Sequence, residues 1–302
     1  MGSREVRASA FVGREEELRL LEAELTEAAA GRGRLVAIAG DPGIGKTRVV
    51  EEFIARAAVR PGRVVWGPCP AHPGAPPYWP WQQAIRAYAD TNDPATLASE
   101  LGAEAADIAR LVPALRRHVS GWEGGAPAVE SDEWRFRLFD AVTSFLRRVT
   151  DRVPLVIVLD DLHWADPASL QLLTFLAREL RGMRLLLLVT YRLLEVESRA
   201  GLVESLGRAA RRIQLRGLGR EEVGEVIHRM TGVRPASGMV DDIHRITEGN
   251  PFFLGELVRM LDAESMLGRP DLASLPIRIP AELRATIRQR LDRKSTRLNS
   301  SH

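Results

Sequence analysis

Between Leu35 and Ala58 the chain runs through three segments whose order leaves few folds open. The apolar pentad Leu35–Ala39 reads as a buried strand, and Thr47–Ala58, with Val49, Val50, Phe53, Ile54 and Ala57 at helical spacing, reads as a helix. Between them lies Gly40-Asp41-Pro42-Gly43-Ile44-Gly45-Lys46-Thr47, which satisfies Gly-x4-Gly-Lys-Ser/Thr at every fixed position. The chemistry of such an octet is well defined. Its glycines let successive backbone N–H groups turn toward an anion, the following helix adds its positive end, and the hydroxyl can face a divalent cation. Composition sharpens the point: the chain has two lysines, Lys46 and Lys294, against forty arginines. Placing a lysine here selects a compact ammonium on a flexible stem, able to follow a phosphate as a point charge.

A second segment answers the first. Pro154-Leu155-Val156-Ile157-Val158-Leu159-Asp160-Asp161 is an unbroken apolar run closed by two carboxylates, the pattern of a parallel strand buried on both faces. In open α/β sheets ligands lie at the carboxyl ends of the strands. Amides from Gly43 to Thr47 are therefore expected to cradle phosphates, with Gly40, Pro42, Ile44, Gly45 and Arg48 completing the loop. Lys46 is expected to reach the β and γ oxygens, and Thr47 with Asp160 to hold Mg²⁺, directly or through water. Asp161 is placed to polarise a water as general base. Arg184–Thr190 reads as another buried strand, and Arg192 just beyond it is either a phosphate sensor or a surface charge.

The remaining pattern sets the organisation. Glu16–Ala30 reads as an amphipathic helix with Leu18, Leu21 and Leu25 on one face. A second strand is read at Gly62–Gly67 and a Pro-rich aromatic loop at Pro68–Pro80; Tyr78, Trp79 and Trp81 either pack there or stack on a base or on single-stranded nucleic acid. Helices are read from Gln82, across Asp93–Gly125 with a break at Gly121–Gly125, over Ser131–Thr150 and over Ala168–Leu180. Ile213–Leu215 reads as the last strand, after which helices cover Glu221–Thr231, Val240–Thr247, Asn250–Leu261 and Ala281–Leu291. The expected fold is an α/β P-loop NTPase sheet flanked by helices, then an all-helical lid. The expected divisions are a tail at 1–10, an NTPase domain at 11–216 and the lid at 217–275.

Bulk properties exclude several classes. No apolar stretch approaches the length of a membrane span, and no apolar segment near the N-terminus could serve as a secretory signal, so a cytoplasmic location is expected. A single cysteine, Cys69, allows no internal disulfide and reads as a small buried filler. His163 beside the Asp pair suggests hydrogen bonding or phosphate sensing rather than a transition metal. Asp292–His302 changes residue usage abruptly and resembles a translated sequencing-library adapter, so the native protein is expected to be truncated near Leu291. Without the three cations and one anion of that tail, the 42 basic and 40 acidic residues come out equal. The alkaline isoelectric point then gives no support to nucleic-acid binding.

Five motifs in order, Phe11–Leu18 (FVGREEEL), Gly40–Thr47 (GDPGIGKT), Leu155–Asp166 (LVIVLDDLHWAD), Leu185–Arg192 (LLLLVTYR) and Gly249–Leu257 (GNPFFLGEL), resemble the signal-transducing STAND ATPases. The branch is that of an origin-recognition-complex-like AAA ATPase module found at the head of LuxR-type transcription regulators and beside some adenylate cyclases. The resemblance implies that Val12, Gly13 and Arg14 contribute to the adenine and ribose pocket, that Arg192 is the sensor arginine, and that Pro251 helps close the lid over the base. It implies a winged-helix start at 276–291, cut off in this chain. It further implies an ATP/ADP-operated latch with slow hydrolysis, homo-oligomerisation in the ATP state, an inducer, and DNA contact only through a missing C-terminal domain. With an ATPase beginning near residue 11, neither a cyclase nor a DNA-binding domain is expected upstream, and a regulator is the expected context. The alternatives are a nucleotide-holding module without hydrolysis, an ATPase module of a cyclase-associated or other signalling protein, and, disfavoured by the neutral charge, a motor or replication initiator.

Overall fold

A computed structural model describes residues 11–57, 63–71, 74–118, 131–192, 206 and 210–263. The 1–10 tail, the Gly121–Gly125 break, the Ala281–Leu291 helix, the winged-helix start and the adapter-like tail lie outside the described residues. Within them the chain forms two compact units. One is built on Glu16–Ala39 and Thr47–Gln214, the other on residues 11–15, Gly40–Lys46 and 215–263.

The first unit carries a five-stranded sheet in the order β2-β3-β4-β1-β5, every pair parallel. The strands are β1 (Arg34–Ala39), β2 (Arg63–Pro68), β3 (Leu155–Asp160), β4 (Leu185–Tyr191) and β5 (Ala210–Gln214). The central three are predominantly apolar because both faces are covered: all seven residues of β4 and the first five of β3 are buried. As in any parallel sheet, their carboxyl ends share one edge. Ala39 stands opposite Tyr191 and Leu159 opposite Val189, so Asp160 and Tyr191-Arg192 emerge from neighbouring strands there.

Helices complete this unit: α1 (Glu15–Ala29), α2 (Lys46–Ala57), α3 (Trp79–Asp90), α4 (Pro94–Leu101), α5 (Ala105–Leu111), α6 (Asp132–Arg152) and α7 (Pro167–Glu179). Leu18, Leu21, Leu25 and Ala28 of α1 recur at three- and four-residue spacing and are buried. Ser131 caps α6 by accepting the Trp134 N–H at 3.1 Å, and Asp166 caps α7 by accepting the Ser169 N–H at 2.9 Å. No helix among the described residues is long and apolar enough to cross a membrane.

Some elements depart from the sequence reading. Helix α3 starts at Trp79, inside the segment read as a loop, because Pro80 sits in its first turn, where a missing N–H costs nothing. Of the aromatic trio, Trp81 and Tyr78 are core: Trp81 is fully buried with its indole N–H on the Ser169 carbonyl at 3.1 Å, and Tyr78 meets Trp134 and Phe139 edge-on. The edge strand β5 begins at Ala210 rather than Ile213, its two exposed arginines having hidden it.

The second unit packs α8 (Arg220–Thr231), α9 (Ser237–Thr247) and α10 (Pro251–Ala263) around Val223, Ile227, Ile243, Leu254 and Leu257. Glu222 reaches back to the Gly219 N–H at 2.7 Å, tying down the start of α8. The turn into α10 has a stricter requirement. Gly249 has φ +68°, and a Cβ there would fall 2.1 Å from the Leu218 carbonyl oxygen, whose own amide donates to Gly249 at 2.8 Å. Only glycine meets both demands.

Candidate functional site

In the helical unit, Gly40–Lys46 folds as a tight loop. Gly43 and Gly45 have φ +79° and +97°, and a Cβ on Gly40 would lie 2.7 Å from Ile44 Cγ2. The Ile44 N–H closes a turn on the Asp41 carbonyl at 3.2 Å. Lys46 opens α2 and folds its ammonium back on the Gly40 and Asp41 carbonyls at 3.0 and 3.2 Å. Two carbonyl contacts hold that cation beside the loop whose amides suit an anion.

The N-terminal segment meets the same loop. Arg14, buried and at φ +67°, donates to the carbonyls of Ile44 and Arg216. Gly13 lies so close to α8 that a Cβ would sit 1.9 Å from Glu222 Oε1, and Val12 packs on the helical core. Pro251 takes the first position of α10, while Asn250 before it donates from Nδ2 to the Pro42 carbonyl at 3.0 Å. Arg48 is directed elsewhere, pairing with Glu51 on the exposed face of α2.

In the sheet unit, Thr47 Oγ1 lies 3.1 and 3.3 Å from the Asp160 carboxylate oxygens. Thr190 shapes that carboxylate: its hydroxyl donates to Asp160 Oδ1 at 2.5 Å and accepts the Asp161 N–H at 2.9 Å. Asp161 sits in the left-handed region, φ 56°, a conformation aspartate tolerates better than most residues, and its side chain is 42% exposed. His163 is buried on a short 3₁₀ turn with Nδ1 3.8 Å from Asp161 Oδ1 and its ring against Trp164. Arg192 follows β4 at the same sheet edge.

The local field at these strand ends is negative. Burial pushes the Cys69 thiol up to about 12, with Asp160, Asp161 and Asp166 adding to the effect, and the Cys69 N–H rests on the Asp160 carbonyl. A hard cation fits this donor set. The Thr47 hydroxyl and the Asp160 carboxylate, 3.1 Å apart, would hold such a cation directly or through water.

Sequence reasoning missed Thr190 and Asn250. Thr190 follows the apolar run of β4 one step beyond the Leu159–Val189 pair, so correct register alone would have set it beside Asp160. Asn250 precedes a helix-opening proline, where a side chain that caps is expected and a second partner is invisible.

A family model described as the AAA ATPase domain matches residues 10–189. The chain belongs to the AAA ATPase family. Membership supports ATP hydrolysis as the reaction of this AAA ATPase. An uncharacterized protein of Rhizobium meliloti (strain 1021) is 26% identical over 269 residues; that alignment takes 82% of this chain but only 24% of the relative, so the chain spans about a quarter of its length. Among solved structures, a Walker-type ATPase of Pyrococcus abyssi aligns with TM-score 0.52 at 15% identity, over 98% of this chain and 79% of that one. Cdc6p from Pyrobaculum aerophilum aligns with TM-score 0.51 at 13% identity, over 85% and 65%. At such identities the likeness concerns the fold.

Proposed function

We propose that the chain is a Mg²⁺-dependent ATP-binding switch of the STAND type that hydrolyses ATP slowly, and that it heads a LuxR-type transcription regulator. The observation that supports this best is the contact of Thr47 Oγ1 with Asp160 at 3.1 Å, which pairs the hydroxyl of the phosphate-binding loop with the first carboxylate after β3. The five ordered motifs support the STAND assignment, and the regulator rests on their resemblance alone. An inducer, oligomerisation in the ATP state and a cytoplasmic location belong to the same reading.

Each residue has a stated task. Within Gly43–Thr47 the amides other than that of Ile44, which is bonded to the Asp41 carbonyl, receive the β-phosphate, and Lys46 exchanges its carbonyl partners for phosphate oxygens. Thr47 and Asp160 hold Mg²⁺, which neutralises charge on the phosphates. Asp161 takes a proton as water attacks the γ-phosphorus; the bond to the bridging oxygen breaks, giving ADP and phosphate. Arg192 steadies the γ-phosphate, while Val12, Gly13, Arg14 and Pro251 serve the nucleoside end. Phosphoryl transfer has a loose transition state, so positioning and charge supply most of the rate.

The test is phosphate release with Asp161→Asn. The variant should bind ATP as the parent does and lose hydrolysis about a hundredfold or more. Normal turnover would remove Asp161 as the base. A parent that holds ADP tightly and releases no phosphate would make the chain a nucleotide-holding module.

A further inference from the structure

Three successive carbonyls of the phosphate-binding loop are taken by groups from outside it. Pro42 accepts from Asn250 Nδ2 at 3.0 Å, Gly43 from the Phe252 N–H at 3.3 Å and Ile44 from Arg14 Nη2 at 3.3 Å. In a trans peptide the C=O and the following N–H point in opposite directions. Fixing the Pro42 and Ile44 carbonyls therefore fixes the planes that carry the Gly43 and Gly45 amides. Those two belong to the group expected to face phosphate, whereas the Ile44 N–H is already committed to Asp41.

Asn250 stands at the centre of this arrangement because it does two things at once. Its Oδ1 accepts the Phe252 N–H at 3.1 Å, capping α10, whose first intrahelical bond runs from the Leu254 N–H to the Asn250 carbonyl. Its Nδ2 holds the loop. The amide has only this orientation available, since flipping it would set its NH₂ against the Phe252 N–H and its oxygen against the Pro42 carbonyl. Close approach is built in: a Cβ on Gly43 would lie 2.8 Å from Phe252 Cβ and 3.1 Å from Asn250 Oδ1. Helix α10 cannot shift without releasing loop carbonyls.

We propose that Asn250 is a positioning residue for nucleotide binding, which holds the loop's peptide planes in the phosphate-receiving orientation and so couples the start of α10 to phosphate affinity. This deepens the nucleotide-switch reading and rests on it. It differs from a role for this turn in gripping the base, because it concerns only the phosphates.

The experiment uses Asn250→Ser, which keeps a capping hydroxyl but is too short to reach Pro42, and measures dissociation constants for ADP and for inorganic pyrophosphate. Both constants should rise by the same factor, up to about tenfold, as expected for one lost part-buried hydrogen bond. Ligand-free thermal unfolding reports whether the cap is retained, and Asn250→Thr, another neutral cap, carries the same test if the serine variant does not fold. Unchanged constants would overturn the proposal, as would weakened ADP with unchanged pyrophosphate, which would place the residue's effect at the nucleoside. If Lys46→Ala binds ADP as well as the parent, the nucleotide reading itself fails and the proposal falls with it.

Discussion

Thr190 is the residue through which Asp160 and Asp161 are oriented together, since one hydroxyl bonds the carboxylate of the first and the amide of the second. Replacing it with valine keeps the shape and removes both bonds. We expect Thr190→Val to lower the rate of phosphate release at saturating ATP by about ten- to a hundredfold, the usual cost of losing an outer partner of a metal-binding carboxylate. An unchanged rate would show that Asp160 needs no such support. Cys69 gives a second prediction. Its thiol is pushed up from an ordinary value of 9.0 to about 12, so the folded state favours the neutral form. That contribution to stability is complete below pH about 9 and is lost as pH rises toward 12. At pH 8 the folded protein should resist a thiol-alkylating reagent that labels it readily in urea, as mass spectrometry of the two samples would show. At this scale the sequence offered Lys46 and Thr47 within one octet and Asp160 at the end of an apolar run, and the fold brings Thr47 Oγ1 to 3.1 Å from the Asp160 carboxylate. The sequence hid Thr190 and Asn250, whose partners lie 30 and 208 residues away.

Among the elements, β4 bears most on stability: every one of its residues is buried, between β3 and β1. Leu188→Ala should cost about 2–5 kcal/mol, lowering the urea midpoint with little change in the dependence on urea concentration. Phe136, 63% exposed on α6, is the control: its alanine variant should stay within about 0.5 kcal/mol of the parent. The same contrast explains which elements were legible. β1, β3 and β4 announce themselves as apolar runs because both faces are buried, and α1 by its leucine spacing. β5 has one buried position, Ile213, beside two exposed arginines, so its pattern carries little signal. The start of α3 was misplaced because proline ends a helix or opens one, and Pro80 does the latter.

For the molecule as a whole, equal numbers of basic and acidic residues up to Leu291 mean that the alkaline isoelectric point is no evidence for a phosphate-backbone partner. A chain ending there should show no salt-sensitive affinity for duplex DNA in a fluorescence anisotropy titration; tight binding that weakens steeply with salt would return the initiator reading. A helix-turn-helix in the recovered downstream reading frame would support the regulator, and a cyclase would redirect it. Everything proposed for the switch depends on the phosphates lying against Gly40–Thr47. The most direct measurement is calorimetric titration of MgADP and MgATP into the parent chain and into Lys46→Ala. The parent should saturate at one nucleotide per chain while the variant shows no binding over the same concentrations; equal affinity of the two proteins would contradict the account.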